Sequence, residues 1–285
     1  MVPVPDAPRA EAFFLKTEPG QRFCLFHPPA GACRGALLYV PPFGEEMNKA
    51  RRMAALQARD LAAYGFGVLL LDLYGCGDSS GDFGEARWDI WKNDLALGQQ
   101  WLQQRLGVPV SLWGLRLGAL LALDYARGAS SPVASLVLWQ PVQSGATFLT
   151  QFLRLRIAND MLSDDKEKGG GTKALRDALR AGESLEVAGY ELAPALADAI
   201  ESLDAAALAV TTCPVHWFEA VPADGRPISP AAAKVTTAWE ATGAAPRIHL
   251  VTCPPFWAAQ EVTECPALVA ATTSALSAES SGSPQ

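Results

Sequence analysis

The chain predicts an α/β protein: a mostly parallel sheet flanked by helices, with a helical cap inserted in its second half. Three observations carry this expectation. Gly35–Val40 (GALLYV) and Gly67–Leu73 (GVLLLDL) are continuous apolar runs, as strands covered on both faces require. Helix-like segments alternate with them, which implies right-handed crossovers between parallel strands. From about Ser144 to Leu208 the alternation gives way to a helical stretch.

In order, Phe13–Leu15 and Arg22–His27 flank Pro19-Gly20 and read as a hairpin. Met47–Tyr64 has helical composition and stops at Gly65. Trp88, Trp91, Leu95, Leu102 and Leu106 recur on one helical face that ends at Gly107. Val110–Trp113 is a strand, Leu117–Ala126 a helix apolar nearly all round, and Val133–Trp139 another strand. A polar, glycine-rich break at Ser163–Thr172 interrupts the helical stretch. Val215–Val221 and Arg247–Thr252 read as strands, with helices at Pro230–Thr242 and Pro266–Ala275. The expected organisation is a core over residues 1–143, a cap over 144–208, the rest of the core over 209–278, and a disordered tail over 279–285.

At 285 residues and 49% hydrophobic, the chain is long enough for a substantial core. A net charge of −7 with scattered basic residues argues against nucleic acid as a partner. No apolar run reaches the roughly 18 residues of a membrane span, and Met1–Lys16 lacks the pattern of a signal peptide. The six cysteines form no CxxC pair, so reduced thiols in the cytoplasm are expected. The three histidines, His27, His216 and His249, have no ligand spacing, and neither a metal nor a cofactor is expected.

The most specific motif is Gly114-Leu115-Arg116-Leu117-Gly118, between a strand and a helix. Its spacing resembles the nucleophile elbow of α/β-hydrolases, in which glycines let a sharp strand-to-helix turn present one side chain. Arginine stands where a serine attacks in a hydrolase. A guanidinium has donors only and stays protonated, so Arg116 cannot be a nucleophile. At a helix N-terminus it can instead clamp a phosphate or carboxylate. Alternatively, Glu45, Glu46 or Asp72 neutralises it internally and it plugs the site. Pro41–Lys49 occupies the place of the loop that completes an oxyanion hole, where backbone N–H groups near Phe43 and Gly44 can still donate, although the glutamate pair Glu45-Glu46 opposes a developing oxyanion.

Asp72–Gly81 (DLYGCGDSSG) resembles the loop after the fourth strand of the same superfamily. It contains two weaker nucleophile candidates, Cys76 and Ser79. Gly77–Gly81 satisfies the letters G-x-S-x-G but follows no strand directly, so Ser79 reads as a turn residue. After the last expected strand, where a triad histidine belongs, the chain reads Cys253-Pro254-Pro255-Phe256-Trp257. Glu219 and Asp224 lie near the place of the triad acid.

Pro41–Arg52, Asp72–Gly81, Trp113–Gly118, Phe148–Arg154, Gly171–Lys173, Gly189–Leu192 and Pro255–Trp257 together resemble the second type of α/β-hydrolase associated with the exosortase A system. The likeness runs from about Phe13 to Leu276. It implies an α/β-hydrolase fold, hydrolase kinship, and bacterial exopolysaccharide or exosortase proteins as partners. It implies no defined substrate. Three functions are consistent with these readings. One is a pseudoenzyme that binds a small anionic ligand at Arg116, with Phe43, Gly44, Glu45, Glu46 and Leu117 around it. The second is an esterase, thioesterase or acyl-transfer enzyme with a non-standard site and an acyl-bearing ligand. The third is a scaffold for export machinery.

Overall fold

The structure, a computed structural model, describes residues 8–162 and 171–282. An eight-stranded sheet organises the chain. Strands β1 (Glu11–Lys16) and β2 (Gln21–His27) form the hairpin expected around Pro19-Gly20, and β2 runs antiparallel to its other neighbour, β4 (Phe66–Leu71). Beyond β4 every pairing is parallel, through β3 (Gly35–Val40), β5 (Val110–Leu115), β6 (Leu136–Trp139), β9 (Val215–Val221) and β10 (Arg247–Thr252). The order across the sheet is β1-β2-β4-β3-β5-β6-β9-β10.

Side-chain alternation assigns the two faces. Leu37, Tyr39, Trp113, Leu115, Val137, Trp139 and Phe218 pack on α1 (Glu45–Ala63) and α8 (Pro266–Gly282). Leu38, Val40, Leu112, Leu136, Leu138 and Trp217 pack toward α2 (Trp88–Leu106), α3 (Leu117–Gly128) and α7 (Pro230–Glu240). Each fully buried large apolar side chain contributes about 1.5–3 kcal/mol, and a covered central sheet supplies many of them. The interior of the α1/α8 layer also carries polar links. Gln57 donates to Thr273 Oγ1 at 2.9 Å, and Trp139 Nε1 donates to Thr272 Oγ1 at 2.9 Å.

Between β6 and β9 lie α4 (Gly145–Leu162), α5 (Thr172–Arg180), a small hairpin of β7 (Leu185–Val187) and β8 (Tyr190–Leu192), and α6 (Pro194–Glu201). The segment is therefore not wholly helical. Gly189 in the hairpin turn has φ 83°, and Ala188 before it has φ 50°. A two-residue turn with both residues at positive φ is the form that matches the twist of short antiparallel strands. Most of the break expected at Ser163–Thr172 lies outside the described residues, but Thr172 already belongs to α5.

The tail expectation needs correction over residues 279–282. Helix α8 continues to Gly282, and Glu279 is tied to β10 by Arg247 Nη1 at 2.7 Å. A run of small residues is weakly helical alone, and this tertiary ion pair extends it. Residues 283–285 lie outside the described residues.

Candidate functional site

The turn from β5 into α3 has the geometry that the glycine spacing implies. Arg116 sits at φ 56°, ψ −117°, unusual for a residue with a Cβ. Its N–H donates to Trp139 O at 3.0 Å, and its carbonyl accepts from Ala119 N at 3.1 Å. A Cβ at Gly114 would stand 2.5 Å from Ala119 Cα. One at Gly118 would stand 2.3 Å from Val40 O and 2.4 Å from Pro41 O. Only glycine allows the elbow to close against the end of β3. The strained backbone at Arg116 costs about 1–3 kcal/mol, so the fold holds this side chain in place against resistance.

Arg116 finds its partner in α1. Glu46 Oε1 accepts from Nε at 3.3 Å and lies 3.2 Å from Nη2. Of the three candidate carboxylates, only Glu46 makes this pair. Asp72 accepts instead from Arg51 Nη2 at 3.0 Å and from Asp78 N at 3.0 Å. Glu45 accepts from Asn48 Nδ2 at 3.0 Å and from the Tyr190 hydroxyl at 3.2 Å. Helical geometry separates the two glutamates: adjacent residues in the first turn of α1 diverge by about 100°. Gly44, at φ 56°, ψ −131°, turns the chain so that α1 starts with Glu46 toward the elbow.

The Arg116–Glu46 pair is loose. One oxygen takes both nitrogens beyond 3 Å, whereas a fork-to-fork carboxylate uses both oxygens at about 2.7–2.9 Å. Glu46 Oε2 is buried with no hydrogen-bond partner. Burial pushes the Glu46 carboxyl above its ordinary range, with Arg116 pulling the other way. The two side chains keep 17% and 22% exposure, so the pair is reachable from solvent. Trp257, in the loop after β10, lies with its ring centre 5.5 Å from the Arg116 guanidinium carbon. An aromatic face thus meets Arg116 from the loop that carries the histidine in a triad.

Beside the elbow, the apolar part of the site is filled. Phe43 is edge-on to Phe83, Trp91, Phe148 and Phe152 at centroid distances of 5.0–6.1 Å. The remaining cavity, lined by Phe43, Gly44, Cys76, Leu117 and Gly118 among others, is about 10 Å³. That is room for about one water molecule. Phe43 and Gly44 border the same small cavity as Leu117 and Gly118 of the elbow, and the Phe43 ring fills the space beside it.

The Asp72–Gly81 loop shows why its two nucleophile candidates are unsuited to attack. The Ser79 hydroxyl donates to Asp72 O at 2.5 Å and accepts from Phe23 N at 2.9 Å, so it brackets the turn onto β2. Burial, then Asp72, pushes the Cys76 thiol up to about 12. A thiol with that pKa is almost wholly protonated at neutral pH, and only the thiolate attacks. At the acid position, Asp224 is exposed and accepts from the Thr252 hydroxyl. Glu219 is buried in β9, where it accepts from Ser229 N at 2.9 Å.

His216 and His249 lie near the N-terminal ends of β9 and β10, at the sheet edge opposite the elbow. His216 Nδ1 and His249 Nε2 are 3.0 Å apart. Burial, then His216 and Arg247, lowers the His249 pKa from its usual 6.5. The unfolded chain therefore takes up this proton at higher pH than the folded one. The contribution is fully present above about 6.5 and is lost as pH falls from there through the lower folded value. In an NMR titration the His249 imidazole is expected to titrate below about 6.5; a midpoint above 7 would contradict this environment.

Sequence spacing did not point to Trp257 as the lid on Arg116, nor to Tyr190 as a neighbour of Glu45. The string Pro255–Trp257 marked the first residue only by likeness. Among the described residues, no group of three or more His, Cys, Asp and Glu is placed to hold a metal ion. No helix among them is long and apolar enough to cross a membrane. All six cysteines are free thiols.

A family profile described as serine aminopeptidase, S33, matches residues 32–172, from just before β3 to the start of α5. Among solved structures, Est1E of Butyrivibrio proteoclasticus with bound ferulic acid has a TM-score of 0.61 at 14% identity, covering 94% of this chain and 97% of that one. DcsB in complex with a substrate analogue gives 0.62 at 15% identity, with 96% and 100% covered. A thermostable carboxyl esterase of Bacillus coagulans gives 0.60 at 14%, with 85% and 90% covered. At these identities the likeness shows the fold and leaves the chemistry to the site. No curated protein matches the sequence.

Proposed function

We propose that this chain, which has the α/β-hydrolase fold, keeps the elbow of that fold for binding and has given up hydrolysis. Its ligand is a small anion, phosphate- or carboxylate-bearing, received by Arg116 beside the first N–H groups of α3. The dispersed free cysteines support a cytoplasmic setting, and the resemblance of its motifs supports a role beside the exosortase A and exopolysaccharide system. The observation that carries the reading is Arg116 itself, a non-glycine residue held at φ 56°, ψ −117°. Strain of that kind persists where the presented side chain is used.

Glu46 supports the same reading as an internal occupant. A carboxylate already sits on the guanidinium, yet it uses a single oxygen at 3.2–3.3 Å and leaves the other buried and unpaired. An oxyanion from a ligand, meeting Arg116 with two oxygens, forms the shorter and stronger fork. Displacement lets Glu46 turn toward solvent, which relieves its unpaired oxygen.

Thermal melts in inorganic phosphate at constant ionic strength test the proposal. At about ten times Kd the stabilisation is expected to be about 1.4 kcal/mol. Arg116→Ala should abolish the shift, whereas Glu46→Gln should shift at lower phosphate. An unchanged response in Arg116→Ala would sink the idea.

A second expectation concerns chemistry. Arg116→Ser restores the lettering of an elbow serine but supplies no general base, since His216 and His249 lie at the far edge of the sheet. The variant should remain unlabelled by a fluorophosphonate probe. Labelling at residue 116 would show that a base does reach the elbow.

A further inference from the structure

The space missing at the elbow is found at the opposite end of the sheet. There a cavity of about 550 Å³ opens among the first residues of β3, β5, β6 and β10 and the end of α8. Its size falls within the range of about 300–1,000 Å³ usual for small-molecule sites. Arg34, Phe66, Ser111, Ser135, Arg247 and Glu279 supply its chemistry.

Those groups form two polar clusters. Ser111 Oγ and Ser135 Oγ are 2.9 Å apart, and either hydroxyl can donate to the other. Glu279 Oε1 lies 2.7 Å from Arg247 Nη1 and 3.1 Å from His216 Nε2. The His216 contact is at ion-pair distance but is not aligned as a hydrogen bond. Ser111, Ser135 and His216 are all buried. Buried polar groups of this kind are expensive unless satisfied, and the Ser111–Ser135 pair lies at the floor of the cavity.

Charge and shape narrow the ligand. Among the described residues that line the cavity, two guanidiniums, Arg34 and Arg247, stand beside one carboxylate, Glu279. Arg34 is oriented by Tyr64 O at 3.3 Å and Ser277 O at 3.2 Å, and its guanidinium carbon lies 5.5 Å from the Phe66 ring centre. The cavity thus combines paired hydroxyls, a carboxylate acceptor, a cationic rim and an apolar wall.

We propose that this cavity binds a small polyhydroxylated anion, a sugar acid or sugar monophosphate of hexose size. The ligand hydroxyls meet Ser111, Ser135 and Glu279, its acid group meets Arg247 and Arg34, and its apolar face lies toward Phe66. The site shares no residue with Arg116, so it stands or falls separately from anion binding at the elbow.

The test titrates the full chain with glucuronate and with glucose 6-phosphate, following the imidazole signals of His216 and His249 by NMR. Glucose and inorganic phosphate serve as the partial ligands. At least one anionic sugar should give saturable shifts with an affinity about tenfold or more above either partial ligand. Whichever does so identifies the acid group. Arg247→Ala, at a half-exposed position, should weaken binding about tenfold, and Ser135→Leu should abolish it by filling the floor. Since Ser135→Leu can also disturb the fold, Arg247→Ala decides. The proposal is overturned if neither sugar gives a saturable shift, if phosphate alone binds as well, or if Arg247→Ala binds like the parent.

Discussion

Phe43→Ala is expected to lower unfolding stability by about 3–5 kcal/mol, with the loss confined to the C-terminal mouth of the sheet. Phe43 is 5% exposed and is edge-on to four other aromatic rings contributed by three separate segments. Phe83 and Trp91 come from the stretch after β4 and from α2, while Phe148 and Phe152 come from α4. No single neighbour can collapse into the vacated space, so the transfer loss is compounded by a residual cavity. The variant has a second consequence. It enlarges a space of about 10 Å³ into one that opens beside Leu117 and the Arg116–Glu46 pair. Denaturant unfolding measures the first effect, and a loss below about 1 kcal/mol would mean that the ring is loosely held.

Arg22→Ala should be comparably damaging, at about 3–5 kcal/mol. Arg22 Nε lies 2.6 Å from Asp94 Oδ1, with exposures of 1% and 2%. The other oxygen of Asp94 accepts from Tyr74 N at 2.8 Å, and Arg22 Nη1 donates to Pro19 O at 2.7 Å. The pair therefore joins the hairpin, the loop after β4 and α2 in one buried network. Removing the arginine strands a carboxylate in the interior, and that isolated charge is what costs stability. Replacing both partners, as in Arg22→Met with Asp94→Leu, should recover much of the loss. Urea unfolding of the three proteins checks this, and a double variant no better than the single one would contradict the account.

These variants bear on different kinds of legibility. The elbow was readable because its requirement is local: only glycine fits at positions 114 and 118 when a strand turns straight into a helix. That both faces of the sheet are covered was readable for a similar reason, since Gly35–Val40 is apolar without interruption. Ser79 was readable as a turn residue from the absence of a strand directly before it. The choice among Glu45, Glu46 and Asp72 was not readable, because all three lie close to the elbow in any such fold. Which one pairs depends on the rotation of α1 about its axis, set by Gly44 and by packing on β4. The Tyr190 hairpin escaped notice because three-residue strands carry too little periodicity to signal themselves. The end of α8 escaped because Glu279 gains its partners from β9 and β10, more than thirty residues away in sequence.

By itself, then, the sequence determined the layered α/β frame, the strained turn that presents residue 116, and the presence of a guanidinium where attack is impossible. Spacing and side-chain chemistry act over a few residues and need no partner to be decisive. Only the tertiary structure decided that Glu46 occupies Arg116, that Trp257 covers it, and that Phe43 fills the neighbouring space. It also decided that the open cavity lies at the far end of the sheet. Those outcomes depend on which side chains meet across elements, and they are set by packing and electrostatics over distances that a linear pattern does not encode.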